Sequence, residues 1–245
     1  MKVTENPPNI DSSSPPLDSS ATEWELMPEP DISDILIEDK QPVDNIISEK
    51  QQRLLTSSAY SSLELDIPFL VTANVGLFYA NKKPPLVPDV MLSLRVECPE
   101  DWHHKKNRSY FTWNFAKAPE IAIEIVSNKV GNELSTKLED YLDAGVGYYI
   151  IFDPLNYLSD QVLQVYKRQI TNYQLQDNYW LEDVNLGLTL WSGKFEDKFY
   201  DRWLRWCDKS GNILLTGDEK FEIERQRIDR MAQLLREQGI DPDNI

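Results

Sequence analysis

PEIAIEIVSNKVGNELSTKLEDYLDAGVGYYIIFDP, residues 119–154, is the stretch whose reading decides the fold. Ile121–Ser127 is apolar on both parities except at Glu124, the pattern of a strand covered on both faces. After a Gly-containing turn, Leu134, Leu138, Tyr141 and Leu142 recur at i, i+4, i+7 and i+8, so NELSTKLEDYLDAG predicts an amphipathic helix ended by Gly145. VGYYIIFDP then reads as a second buried strand. The order strand, helix, strand implies a crossover unit with parallel pairing, and so an α/β fold.

Upstream, LVPDVMLSL from Leu86 reads as another strand, with Pro88 at its entry, where a missing N–H is tolerated, and Asp89 inside it. IPFLVTANVGLFYA, from Ile67, predicts a strand pair closed by the turn-like NKKPP at Asn81–Pro85. Between them and the deciding stretch, Val96–Pro119 is polar and aromatic together, as suits a surface excursion or hairpin. Downstream, VLQVYKR, NYQLQ and LGLTLW predict shorter strands in an antiparallel extension. Past Trp206 the chain turns charged, and FEIERQRIDRMAQLLREQG reads as a helix. Its Phe221, Ile228 and Leu235 stand seven apart, with Met231 between them and Glu224 at the other seam position. Barely two heptads long, that seam suits docking on the domain and a homodimer through the C-terminal helix equally well.

Residues 1–60 are rich in Ser, Pro, Asp and Glu with isolated hydrophobics, and read as a disordered acidic tail in which a short helix or docking segment is conceivable only around Ser33–Ile47. Order is expected from near Ile67. The organisation is then a tail over 1–60, a domain over 61–215 and a C-terminal helix over 216–245. Net charge is −16, yet residues 1–66 hold 14 Asp/Glu against 4 Lys/Arg, while Lys82–Lys137 holds 9 Lys/Arg against 7 Asp/Glu. The acidity that would repel phosphates therefore belongs mostly to the tail. Cys98 and Cys207 show no CxxC spacing, which excludes a zinc site or a disulfide framework as a reading and suits a reducing cytoplasm. No apolar run has the length of a membrane span, and the N-terminus lacks the apolar core of a secretion signal, so no membrane partner is expected.

The chemistry rests on Asp89 and Glu124. Each is flanked by hydrophobic residues in its own predicted strand, and an isolated buried carboxylate is paired, neutralised or bound to a cation. Two side by side repel unless a cation lies between them, and Mg²⁺ is the natural candidate, because it takes one or two carboxylates together with phosphate and water. The competing readings are that each acid pairs with its own Lys or Arg, or that Asp89 caps a turn after Pro88. His103 and His104 are adjacent, point in divergent directions and have no third histidine to join them, so they read as solvent-exposed. Trp102, Lys105, Lys106, Arg108, Tyr110 and Trp113 interleave bases with aromatics, either as a half-buried hairpin packed on the sheet or as a surface that tracks phosphates and stacks bases.

PLVPDVMLSL, followed by PEIAIEIVSNKVGNELSTKLEDYLDAGVGYYIIFDPL, closely resembles the Uma-type family of bacterial restriction-endonuclease homologues, a branch of the PD-(D/E)XK nuclease superfamily. The resemblance spans roughly Ile67 to Leu215. It implies a restriction-endonuclease-like, four-stranded mixed central sheet flanked by helices, with Asp89 and Glu124 binding Mg²⁺ (or Mn²⁺) and a lysine near the attacked phosphate. The superfamily's lysine stands two residues after the acid, where this chain has Val126. Lys137 is the expected replacement, since family relatives carry a lysine at the matching place. On the helix it lies about 60° from Leu134 and about 100° from Leu138, so its stem can be buried while its ammonium reaches the sheet. Ser127 and Lys129 are weaker stand-ins, and Asn132 and Glu133 read as caps of the helix. The implied activity is metal-dependent endonucleolytic hydrolysis of DNA, with Asp89, Glu124 and Lys137 catalytic. The alternative, which Val126 favours, is an inactive nuclease-fold scaffold that binds a protein partner.

Overall fold

The computed structural model describes residues 45–127 and 134–242. The expectations for the first 44 residues, and those for Lys129, Asn132 and Glu133, lie outside these.

Order begins earlier than the sequence suggested. Ile46–Ser62 forms helix α1, whose first free amides are satisfied by the side chain of Asn45. This corrects the reading of residues 46–60 as tail. The face that α1 turns inward is largely polar, carrying Ser48, Gln51, Gln52 and Ser58 beside Leu54, Leu55 and Ala59, so no apolar period advertised it.

A six-stranded sheet follows. Its strands are β1 (Phe69–Ala73), β3 (Val90–Leu94), β5 (Ile121–Ile125), β6 (Tyr148–Phe152), β7 (Leu163–Arg168) and β8 (Tyr173–Leu175), which lie side by side in that order. All neighbours are antiparallel except β5 and β6, which are parallel as the crossover required. The sheet is mixed and flanked by helices, with six strands rather than four. Helix α3 (Thr136–Asp143) makes the crossover. It ends where Gly145 turns left-handed (φ 81°), with the Gly145 and Val146 amides donating to the carbonyls of Leu142 and Tyr141.

The strand pair expected from Ile67 does not pair with itself. β1 adds to the edge of the main sheet, whereas β2 (Leu77–Phe78) pairs in parallel with β4 (Tyr110–Phe111). The Val96–Pro119 excursion also contributes more than surface, because Tyr110 and Phe111 are buried and the short helix α2 (Thr112–Phe115) brings Phe115 onto the Tyr110 ring at 4.4 Å. LGLTLW is not an extension of the main sheet. It begins β10 (Leu186–Phe195), which forms a separate sheet between β9 (Trp180–Leu181) and β11 (Lys198–Cys207). Helix α4 (Gly217–Glu237) follows. Among the described residues no helix is long and apolar enough to cross a membrane.

Strand parity divides the core into two halves. Val90, Leu92, Ile121, Ile123, Ile150 and Val165 face Leu55 and Ala59 of α1 together with Leu188, Leu204 and Trp206 of the second sheet. On the opposite face, Met91, Ala122, Tyr149 and Ile151 pack with Tyr141 and Ala144 of the crossover. Strands β5 and β6 are therefore buried along their whole length on both sides. Glu124 shares the parity of Ala122, which turns it toward α3.

Candidate active site

Asp89 is the residue just before β3 rather than one inside it, and it is 6% exposed. Glu124 lies within β5 and is 5% exposed. The β3–β5 ladder sets Val90 opposite Ile123. One residue further along the same register, Asp89 falls across from Glu124, and cross-strand partners place their Cβ atoms about 4.5–5.5 Å apart. The two acids thus share one end and one face of the sheet.

Each carboxylate is held by named donors. Asp89 Oδ2 accepts the Ile125 amide at 2.6 Å, a bond that continues the ladder where the backbone of β3 has ended. Its Oδ1 accepts Gln52 Nε2 of α1 at 2.7 Å, and the Gln52 carbonyl in turn accepts Asn74 Nδ2 at 2.8 Å. Asn74 follows β1 in the left-handed region (φ 54°), where Asn is among the better-tolerated side chains. Glu124 Oε2 accepts Lys137 Nζ at 2.9 Å, and its Oε1 accepts the Tyr141 hydroxyl at 2.6 Å.

Lys137 thus reaches the sheet from the crossover helix, with its side chain about one third exposed at 35%. Val126, in the place of the superfamily's lysine, is buried among the apolar side chains on the same face. The positive charge in the pocket therefore comes from α3 and not from β5. Internal pairing, one of the two readings of Glu124, is realised by the same lysine.

Tyr141 had been read only as part of the helix's apolar stripe. It stands four residues after Lys137, so both side chains leave the same face of α3 and converge on one carboxylate. Burial, followed by the negative charge of Glu124 and the hydrogen bond to it, pushes the Tyr141 phenol well above its ordinary pKa. The hydroxyl remains a proton donor to Glu124 at any physiological pH. The i, i+4 spacing of Lys137 and Tyr141 was a usable signal in the sequence. Nothing comparable pointed to Gln52 or Asn74, which sit 37 and 15 residues before Asp89.

The remaining sequence candidates lie elsewhere. His104 approaches Asp101 at 3.3 Å, and both histidines are exposed. Among the described residues no group of three or more His, Cys, Asp or Glu could hold a metal, and Asp89 with Glu124 offers two carboxylates. Such a donor set fits Mg²⁺ or Mn²⁺, which accept one or two carboxylates and complete their shell with water and phosphate oxygens, and does not fit zinc. The aromatic and basic segment divides. Tyr110 is core and Trp113 packs on Phe111 at 5.2 Å, while Trp102 is 66% exposed and Arg108 donates to the carbonyls of Trp102 and His103. Trp102, Tyr110, Phe115 and Met91 line a cavity of about 280 Å³ on the Asp89 side of the sheet.

A comparison with solved structures finds similarity to a putative nuclease belonging to DUF820 from Anabaena variabilis ATCC 29413. Identity is 15% over 58% of this chain and 73% of that one, with a TM-score of 0.41. No curated protein matches the chain. The model of the Uma2 family, described as putative restriction endonuclease, matches residues 29–195, a span that holds both acids, Lys137 and Tyr141 and reaches beyond the sequence resemblance to take in α1. The chain belongs to the Uma2 family.

Proposed function

We propose that the chain is a metal-dependent endonuclease that hydrolyses DNA phosphodiester bonds at Asp89 and Glu124. The observation that carries this reading is the convergence of two buried acids from adjacent strands at one sheet end, with Lys137 reaching the second from the following helix at 2.9 Å. Asp89 and Glu124 would hold the cation with the carbonyl that follows Glu124, and the cation would supply a Lewis acid for the phosphate and an acidified water.

The chain's own residues supply position. Gln52 and the Ile125 amide fix the Asp89 carboxylate along the strand axis, so its oxygens keep their direction without a ligand present. Tyr141 anchors one oxygen of Glu124 and leaves the other to Lys137. Lys137 is the solvent-facing member, with a third of its side chain exposed. Its ammonium is placed to leave Glu124 for the attacking water or for the negative charge growing on the phosphate. DNA fits as substrate because the segment around the site lacks the acidity of the N-terminal 66 residues.

One observation favours the second reading, a scaffold that cleaves nothing. Each carboxylate oxygen already accepts a protein hydrogen bond and the Lys137 ammonium offsets one of the two charges, so the chain itself holds the pair in place. Plasmid cleavage in Mg²⁺ or Mn²⁺, run beside calorimetric titration of the same ions, separates the two. The endonuclease reading expects nicking by wild type that falls to background in Asp89→Ala and Glu124→Ala, together with loss of ion binding. No cleavage above background by wild type, or no ion uptake by it, rejects it in favour of the scaffold, and equal cleavage in all three proteins discards the assignment to Asp89 and Glu124.

A further inference from the structure

Among the described residues, helix α4 is anchored to the domain through its beginning. Thr216 and Glu219 form a capping box, Glu219 is gripped by both terminal nitrogens of the fully buried Arg205 at 2.8 and 2.9 Å, and Lys220 donates to the Ser61 carbonyl. Past that first turn the helix buries no residue. Arg225, Gln226, Arg227 and Gln233 all bond to carboxylates of α4 itself. Yet Phe221, Ile228, Met231 and Leu235 fall within about 80° of its circumference, at 100° per residue. Phe221 is 68% exposed and Ile228 is 62% exposed. A helix in water takes most of its stability from packing such a stripe, and an exposed apolar patch rimmed by charge marks an association surface.

The charges on α4 say what covers it. Gly217–Glu224 carries Asp218, Glu219, Glu222 and Glu224 against Lys220, a balance of −3. Arg225–Glu237 carries Arg225, Arg227, Arg230 and Arg236 against Asp229 and Glu237, a balance of +2. A second copy of the same helix therefore matches it in charge when it runs in the opposite direction, and repels it when it runs parallel.

We propose that two copies of this chain associate through α4 packed antiparallel, the basic half of each helix lying against the acidic half of the other. The apolar stripe forms the seam. The interface is independent of the carboxylate site, and its failure would leave the endonuclease reading untouched.

Sedimentation of the full chain over a concentration series tests association. The mass rises to that of two chains, the transition moves to higher concentration with added salt, and Ile228→Glu holds the protein at the mass of one. A single-chain mass at every concentration overturns the proposal. Direction is tested in a Cys98→Ser background with one spin label at Glu222→Cys, Asp229→Cys or Glu237→Cys. With residues 217–224 of each helix against 225–233 of the other, an antiparallel pair crosses near residue 225, giving axial separations of about 10 Å at 222 and 229 and about 35 Å at 237. Equal distances at all three positions mean parallel helices and overturn it as well.

Discussion

Helices α1 and α4 have opposite relations to the domain. The inward face of α1 is half glutamine and serine, and it is buried; the marked stripe of α4 is phenylalanine, isoleucine, methionine and leucine, and it is exposed. What holds α1 is the matching of polar groups. Gln51 gives its amide to the Leu204 carbonyl at 2.8 Å and takes the Leu204 amide at 2.9 Å, so its side chain pairs with β11 as a neighbouring strand would. The Trp206 indole donates to the Leu55 carbonyl, while Lys50 and Arg53 of α1 bind Glu196 and Asp197 at the turn of the β10–β11 hairpin. The lesson is that an apolar period reports what needs covering, and a buried polar face reports what has already found its partner.

The comparison breaks most sharply at Leu55, which is fully buried. Leu55→Ala should lower unfolding free energy by about 2–5 kcal/mol in urea titrations, the cost of lost transfer energy plus a cavity. A loss near zero would mean that α1 is a passenger. Gln51→Ala sharpens the polar half of the argument, because it strands a buried amide and a buried carbonyl of Leu204. The expected loss is about 2–3 kcal/mol by the same measurement, and Gln51→Leu should not recover it, since shape without hydrogen bonds is no substitute here.

A smaller effect belongs to the root of α4. Burial acts to raise the Glu219 carboxyl, but the hydrogen bonds from Arg205 and Thr216 outweigh it and hold the group below its ordinary value. A depressed folded value means that the contribution is complete above the unfolded glutamate pKa, about 4.3, and is lost as pH falls through the folded one. The stability difference between wild type and Glu219→Gln should therefore be constant near neutrality and shrink below about pH 4. A difference that grows on acidification would contradict the pairing. The smallest effect is expected on the exposed stripe. Ile228→Ser, measured at dilution, should change stability by no more than about 0.5 kcal/mol, although the same side chain looks like core in the sequence.

This contrast also explains what the sequence could and could not disclose. Strands β5 and β6 were legible because both faces are apolar, and α3 because its stripe points inward. The β1–β3 pairing was not, since β1 and β2 are near in sequence but join different partners. Strand β11 was missed because Asp201, Arg202 and Arg205 interrupt its hydrophobics, and the burial of Arg205 rests on Glu219, the Leu214 carbonyl and the Trp191 ring together. Of the site, Asp89 and Glu124 stood out as charges among apolar neighbours, and the family resemblance pointed to Lys137, which helical geometry brought within reach of the sheet. Gln52 gave no sign, because a glutamine among polar residues is the commonest surface pattern there is.

The glutamines of α1 also set a timetable. Gln51 and Leu55 emerge from the ribosome about 150 residues before Leu204 and Trp206, the groups they bind. At about 5–20 residues per second, α1 waits on the order of ten seconds or longer without the strand it is shaped for. Its nearer partners come first: Tyr60 meets Val71, and Gln52 meets Asn74 and Asp89, 22 and 37 residues on. The clasp that orients the first acid is therefore at hand well before the strand that completes the burial of α1.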